Sequence, residues 1–72
     1  MPRVSGKDVL AAMQHGGWTI VRTTGSHYHL RHPERPGRVT IAVHGTATLH
    51  PKTLRTILSQ ATMSVDELRD IL

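Results

Sequence analysis

Ser26-His27-Tyr28-His29-Leu30-Arg31-His32, then Pro33-Glu34-Arg35-Pro36-Gly37, then Arg38-Val39-Thr40-Ile41-Ala42-Val43-His44, is the stretch that decides the fold. Its last part alternates Val39, Ile41 and Val43 with Arg38, Thr40, Ala42 and His44, the period of a half-buried strand. Its first part sets Tyr28 and Leu30 against His27, His29 and Arg31 with the same period. The five residues between can be neither helix nor central strand, because two prolines remove backbone donors and Gly37 permits a reversed backbone. The stretch therefore predicts an antiparallel hairpin. Keeping both apolar sets on one face allows two registers, with His27 opposite Ala42 or opposite His44. Either one leaves His27, His29, Arg31, Arg38 and Thr40 on the other face, with His44 at or near its end.

Working outward, Trp18 to Thr23 is rich in β-branched residues and is followed by Gly25, which reads as a further strand turning into the hairpin. Before it, Ser5 with Asp8 three residues on forms a capping box. Val9, Leu10 and Met13 then recur at helical spacing until Gly16-Gly17, so a helix runs from about Gly6 to His15. After the hairpin, Pro51 suits a first helical position, and Leu54, Ile57, Leu58 and Ala61 form an apolar stripe. Ser64 with Glu67 is a second capping box, opening a short terminal helix with Val65, Leu68, Ile71 and Leu72. The order is α-β-β-β-α with a short helix added, an α+β fold. At 72 residues the apolar content suffices for one core, so residues 1–72 are expected to form one domain.

The charge is uneven. Residues 1–55 carry eight Lys and Arg against Asp8 and Glu34, a surplus of six, whereas the tail sets Arg69 against Asp66, Glu67 and Asp70. A basic body of this kind suggests a polyanionic partner. No cysteine is present, which excludes disulfides and thiolate metal ligands and fits a cytoplasmic location. The apolar runs are too short for a membrane span, and no signal peptide is read at the N-terminus.

Four segments in register now carry a resemblance: Gly17-Trp18; Gly25-Ser26-His27-Tyr28-His29-Leu30; Val39-Thr40-Ile41-Ala42-Val43-His44-Gly45; and Thr53-Leu54-Arg55-Thr56-Ile57-Leu58. Their order and spacing, over about Ser5 to Ser64, resemble the HicA toxins, also called the YcfA-like family, small messenger-RNA interferases neutralised by a HicB antitoxin. The resemblance implies a fold like a double-stranded-RNA-binding domain, a three-stranded antiparallel sheet with helices on one face. It also implies that His27 is catalytic, that the substrate is messenger RNA and that a HicB-like antitoxin is the partner. Two positions depart from the family pattern, which usually has glycine where this chain has Lys52 and Thr62. Lys52 places a cation in the first helical turn, which the helix dipole disfavours by ~0.3–1 kcal/mol, so a compensating phosphate contact is expected there.

Histidine suits RNA cleavage because imidazole exchanges a proton near neutrality, while the RNA supplies its own nucleophile, the 2′-hydroxyl. Such a route needs a base, an acid and cations around the phosphate, and in principle no metal or other cofactor. The five carboxylates are scattered along the chain and form no two-metal nuclease pattern. Zinc is the rival reading for His27 and His29, which share a strand face, with His44 as third ligand. Against it stand the neighbouring Arg31 and Arg38 and the lack of an orienting carboxylate. The RNA-binding set expected beside His27 is Lys7, Arg22, Ser26, His29, Arg31, Arg38 and Lys52, with His29 or His44 as candidates for a second proton carrier. Trp18 is expected in the core rather than as a base-stacking platform. The alternatives to a ribonuclease are a non-catalytic RNA-binding module of the same fold and a purely protein-binding domain.

Overall fold

The computed structural model describes residues 2–72. Its elements are α1 (Gly6–His15), β1 (Thr19–Thr24), β2 (His27–Arg31), β3 (Val39–Ala42), α2 (Pro51–Ala61) and α3 (Val65–Ile71). The strands form one antiparallel sheet in the order β1-β2-β3. This is the expected α+β arrangement, with β1 shifted by one residue at the same length and β2 and β3 two and three residues shorter than the periodicity predicts. Ser26, expected in the second strand, instead forms the β1–β2 turn with Gly25. Gly25 has φ 58° while Ser26 keeps a negative φ, the pattern of a type II′ hairpin turn.

The pleat sorts the side chains as expected. Leu30, Val39 and Ile41 are buried and Tyr28 is half-buried on one face of the sheet. Against them pack Val9, Ala12 and Met13 of α1, Leu54, Ile57, Leu58 and Ala61 of α2, Leu68 of α3, and Trp18. Trp18 is thus a core residue. Each fully buried aliphatic side chain contributes ~1.5–3 kcal/mol, so this single layer of contacts between helices and sheet is the main stabilising term.

The helix starts follow the two capping boxes. Ser5 Oγ accepts the Asp8 N–H at 3.1 Å and Asp8 Oδ2 accepts the Ser5 N–H at 3.0 Å. Those bonds from Ser5 hold the Asp8 carboxyl below its usual range. Ser64 and Glu67 repeat the arrangement at α3. For α2 the cap is His50, whose Nδ1 accepts the Lys52 N–H at 3.1 Å.

The first two helices end in the same way. Trp18 N–H reaches the Met13 carbonyl and Gly17 N–H the Gln14 carbonyl, while Met63 N–H reaches Leu58 and Thr62 N–H reaches Ser59. Both are Schellman closures, and Trp18 and Met63, the residues after the left-handed positions, belong to the core or pack against it. At the first the left-handed residue is Gly17, φ 98°. At the second it is Thr62, φ 54° and ψ 45°, a β-branched residue where Cβ meets the carbonyl.

Arg35, in the loop between β2 and β3, fastens that loop to the α2–α3 junction. Its Nη1 donates to the carbonyls of Ala61 and Thr62, and its Nη2 meets Glu67 Oε2 at 2.8 Å. The Arg35 guanidinium, followed by the Ser64 N–H, holds the Glu67 carboxyl below the usual range. His32 secures the same region. Its Nδ1 accepts the Glu34 N–H at 3.0 Å, so the ring proton sits on Nε2, which donates to the Gly16 carbonyl at 3.2 Å. The ring stands edge-on to Trp18 with centroids 5.3 Å apart.

Two outcomes follow from these ends. Thr62→Gly should relieve a left-handed penalty of ~1–2 kcal/mol against a glycine entropy cost of ~0.5–1 kcal/mol. The net gain of up to about 1.5 kcal/mol raises Tm by up to several degrees, read by thermal denaturation; a lower Tm contradicts this account of the cap. Because the Glu67 titration is depressed in the folded chain, its pairing with Arg35 stabilises above the ordinary carboxylate range and is lost as pH falls through the lowered value. The stability difference between wild type and Arg35→Ala should therefore narrow on acidification below about pH 4. It should not vanish, since the two carbonyl bonds of Arg35 remain. Denaturant midpoints for both proteins across that range are the check.

Candidate functional site

The face of the sheet turned away from the helices is set by two registers. In β2–β3, His27 stands opposite Ala42, His29 opposite Thr40 and Leu30 opposite Val39. Of the two registers the sequence allows, this is the one without a direct His27–His44 pair; β3 ends at Ala42 and the exposed His44 lies beyond it. In β1–β2, Thr24 stands opposite His27 and Thr23 opposite Tyr28, but the register shifts between Ile20 and Arg22. Val21 is the extra residue of a β-bulge and is 54% exposed. Without the bulge Arg22 would face Tyr28 on the core side; with it, Arg22 faces His29. The open face accordingly reads in rows across the strands: Thr24, His27 and Ala42; then Arg22, His29 and Thr40; then Thr19 and Arg31.

His27 is exposed, while His29 and Thr40 are half-buried. His29 Nδ1 and Thr40 Oγ1 lie 3.2 Å apart. The Thr40 backbone N–H donates to Gln60 Oε1 of α2 at 3.1 Å, closing a donor that an edge strand would otherwise leave to solvent. No acidic residue stands in any of the three strands.

The end of the sheet that carries His27 is also where the first two helices begin. A Cβ on Gly6 would collide with the Ala42 carbonyl oxygen, so the start of α1 lies directly against the residue opposite His27. Ser5 bridges Thr48, and the Leu49 N–H donates to the Val4 carbonyl at 2.8 Å, bringing the segment that leads into α2 to the same place. Val43 N–H donates to the Ser26 carbonyl at 2.9 Å, so Ser26 is tied in by its backbone. Lys7 and Lys52 are both exposed in the first turns of their helices. The first turn of α2 contains no acidic residue, so nothing there offsets the Lys52 charge.

The expected set thus divides. Lys7, Ser26 and Lys52 belong to the His27 end, and Arg22 and His29 form the adjacent row. Arg31, four strand residues from His27, is roughly 13 Å away along β2, and Arg38 just precedes β3 at that far end. Both are exposed but suited to flanking phosphates rather than to the one nearest His27. Periodicity missed the bulge that turns Arg22 outward, the His29–Thr40 contact and the Gln60 bond. A valine beside an arginine in a β-branched strand was the one trace of the bulge. Arg35, His32 and His50 are basic residues engaged in holding the fold.

Among the described residues no three His, Asp or Glu side chains gather closely enough to hold a metal ion. No helix among them is long and apolar enough to cross a membrane. A hollow of about 550 Å3 lies between α1 and α3, lined by Val4, Asp8, Ala11, Ala12, His15, Asp70, Ile71 and Leu72, and includes no strand residue. The His27 face is open, a shape suited to a polymer.

Comparison with curated proteins finds no match. The family described as HicA toxin of bacterial toxin-antitoxin matches residues 6–63, from the first residue of α1 to the residue after the Thr62 cap. With most of the chain matched and the α-β-β-β-α order in place, the protein belongs to the HicA toxin family of bacterial toxin-antitoxin systems.

Proposed function

We propose that this toxin is a metal-independent endoribonuclease acting on messenger RNA in the cytoplasm, with His27 as the general base. The observation that carries the reading is the placement of His27: exposed on a sheet face without carboxylates, at the end where two helices begin with Lys7 and Lys52. Helix starts carry partial positive charge, and with the two lysines they favour a phosphate beside His27. Arg22, Ser26 and His29 bind the same strand next to it, and Arg31 and Arg38 hold flanking phosphates. His27 accepts the proton of the 2′-hydroxyl; the oxygen attacks its own phosphorus and expels the 5′-oxygen. The products carry a 2′,3′-cyclic phosphate and a 5′-hydroxyl. The antitoxin partner is HicB-like and silences the toxin by covering this cationic face with acidic or aromatic side chains.

The test is RNA end chemistry, with one substrate carrying a single 2′-deoxy nucleotide at the cleavage position. Cleavage with EDTA present, a 5′-hydroxyl product and no cleavage of the deoxy substrate are expected. A 5′-phosphate product, or efficient cutting of the deoxy substrate, rules this chemistry out. His27→Ala should reduce the rate by ~10²–10⁴ while leaving the fold intact, because the side chain is exposed. RNA binding that His27→Gln leaves unchanged, with no cleavage by the wild type, would instead favour the non-catalytic RNA-binding module.

RNA affinity should also fall steeply with salt, since its main source is phosphate neutralisation. Lys52→Ala and Arg31→Ala should each lower the slope of log K against log salt by about 0.7 or less, the value for one single-strand phosphate contact. Titrations at several salt concentrations decide it, and a salt-independent affinity is the contrary result.

A further inference from the structure

We infer that His29 is the general acid of the cleavage reaction, with Thr40 as its positioning residue; this rests on the ribonuclease reading above. Expulsion of the 5′-oxygen requires a proton on the side of the phosphorus opposite the attacking 2′-oxygen, so base and acid must straddle the phosphate. His27 and His29 are two apart on β2 and share its open face, with Cα atoms roughly 6.7 Å apart. A phosphate lying between the two imidazoles presents one apical oxygen to each ring, within a proton-transfer reach of about 2.6–3.2 Å.

His29 differs from His27 in having a side-chain partner that fixes one ring nitrogen. His29 Nδ1 lies 3.2 Å from Thr40 Oγ1, and Thr40 is held by its backbone bond to Gln60. When the ring is protonated, Nδ1–H donates to Thr40, which leaves the Nε2 proton directed away from β3. Arg22, brought opposite His29 by the Val21 bulge, supplies a cation for the phosphate oxygens at the same row. Exposed His44 lies beyond the strand and has no such seat.

The step balances. The O2′–H proton passes to His27 as the O2′–P bond forms; the P–O5′ bond breaks and O5′ takes the Nε2 proton of His29. His27 ends protonated and His29 neutral, holding its Nδ1 proton against Thr40, and exchange with water resets both.

A substrate with sulfur in place of the bridging 5′-oxygen at the cleaved linkage separates the two roles, because a thiolate leaves without a proton. With the full chain, His29→Ala should lower kcat on ordinary RNA by ~10²–10⁴ and return near the wild-type rate on the sulfur substrate. His27→Ala should stay slow on both. His29→Gln, which keeps the volume and a bond to Thr40 but cannot transfer a proton, should behave as His29→Ala does. Thr40→Val should slow ordinary RNA and not the sulfur substrate, with Thr40→Ser restoring the rate. A His29 variant equally slow on both substrates, or unimpaired on ordinary RNA, overturns the assignment. A wild-type enzyme that cuts the 2′-deoxy substrate overturns the 2′-hydroxyl route on which the assignment rests, and that is visible before any His29 variant is made.

Discussion

The antiparallel ladder between β2 and β3 is the constraint on which the other features depend. Pairing His27 with Ala42 and Leu30 with Val39 sends one set of side chains into the helices and the other into solvent. Because the side-chain period is two, a slip of β2 by one residue would turn Tyr28 and Leu30 outward and bring His27 and His29 in. Buried aliphatics on one face therefore hold the functional face in place on the other. Stability and the site are two sides of the same five-residue strand.

Around this ladder the chain assigns its basic residues to two kinds of work. Arg35 binds two helix-end carbonyls and Glu67, His32 spans Gly16 and Glu34, and His50 caps α2. Each of these has at least one ring or guanidinium nitrogen committed to the fold. Of the exposed cations, Arg22, Arg31 and Arg38 belong to the open face and Lys7 and Lys52 to the helix starts at its His27 end. Net charge alone predicts a polyanion partner; the division of labour decides where such a partner is gripped.

Small backbone irregularities set the fine geometry. The bulge at Val21 rotates the rest of β1 by one position, so that Arg22 and Thr24 join His29 and His27. The contact between Gly6 and the Ala42 carbonyl lets α1 start against the sheet end. Gly17 and Thr62 perform the same closure, one without and one with a Cβ. In each case a local choice of one residue positions a side chain several residues away.

Much of this was legible in the sequence by itself. Alternation in Tyr28 to Leu30 and Val39 to Ile41 determined the hairpin and its two faces, and the Ser5 and Ser64 boxes determined where α1 and α3 begin. The Gly-Ser-His segment and its companions pointed to the family, and with it to His27. These signals are local: period, caps and turn residues act within a few positions. The choice between His27–Ala42 and His27–His44 pairing, the outward turn of Arg22, the seating of His29 on Thr40 and the capture of Arg35 by Glu67 were decided only in the tertiary structure. Each depends on which residues lie opposite one another across strands or between a loop and a helix. Contacts of that kind are set by packing over the whole core, and no short window of sequence contains both partners.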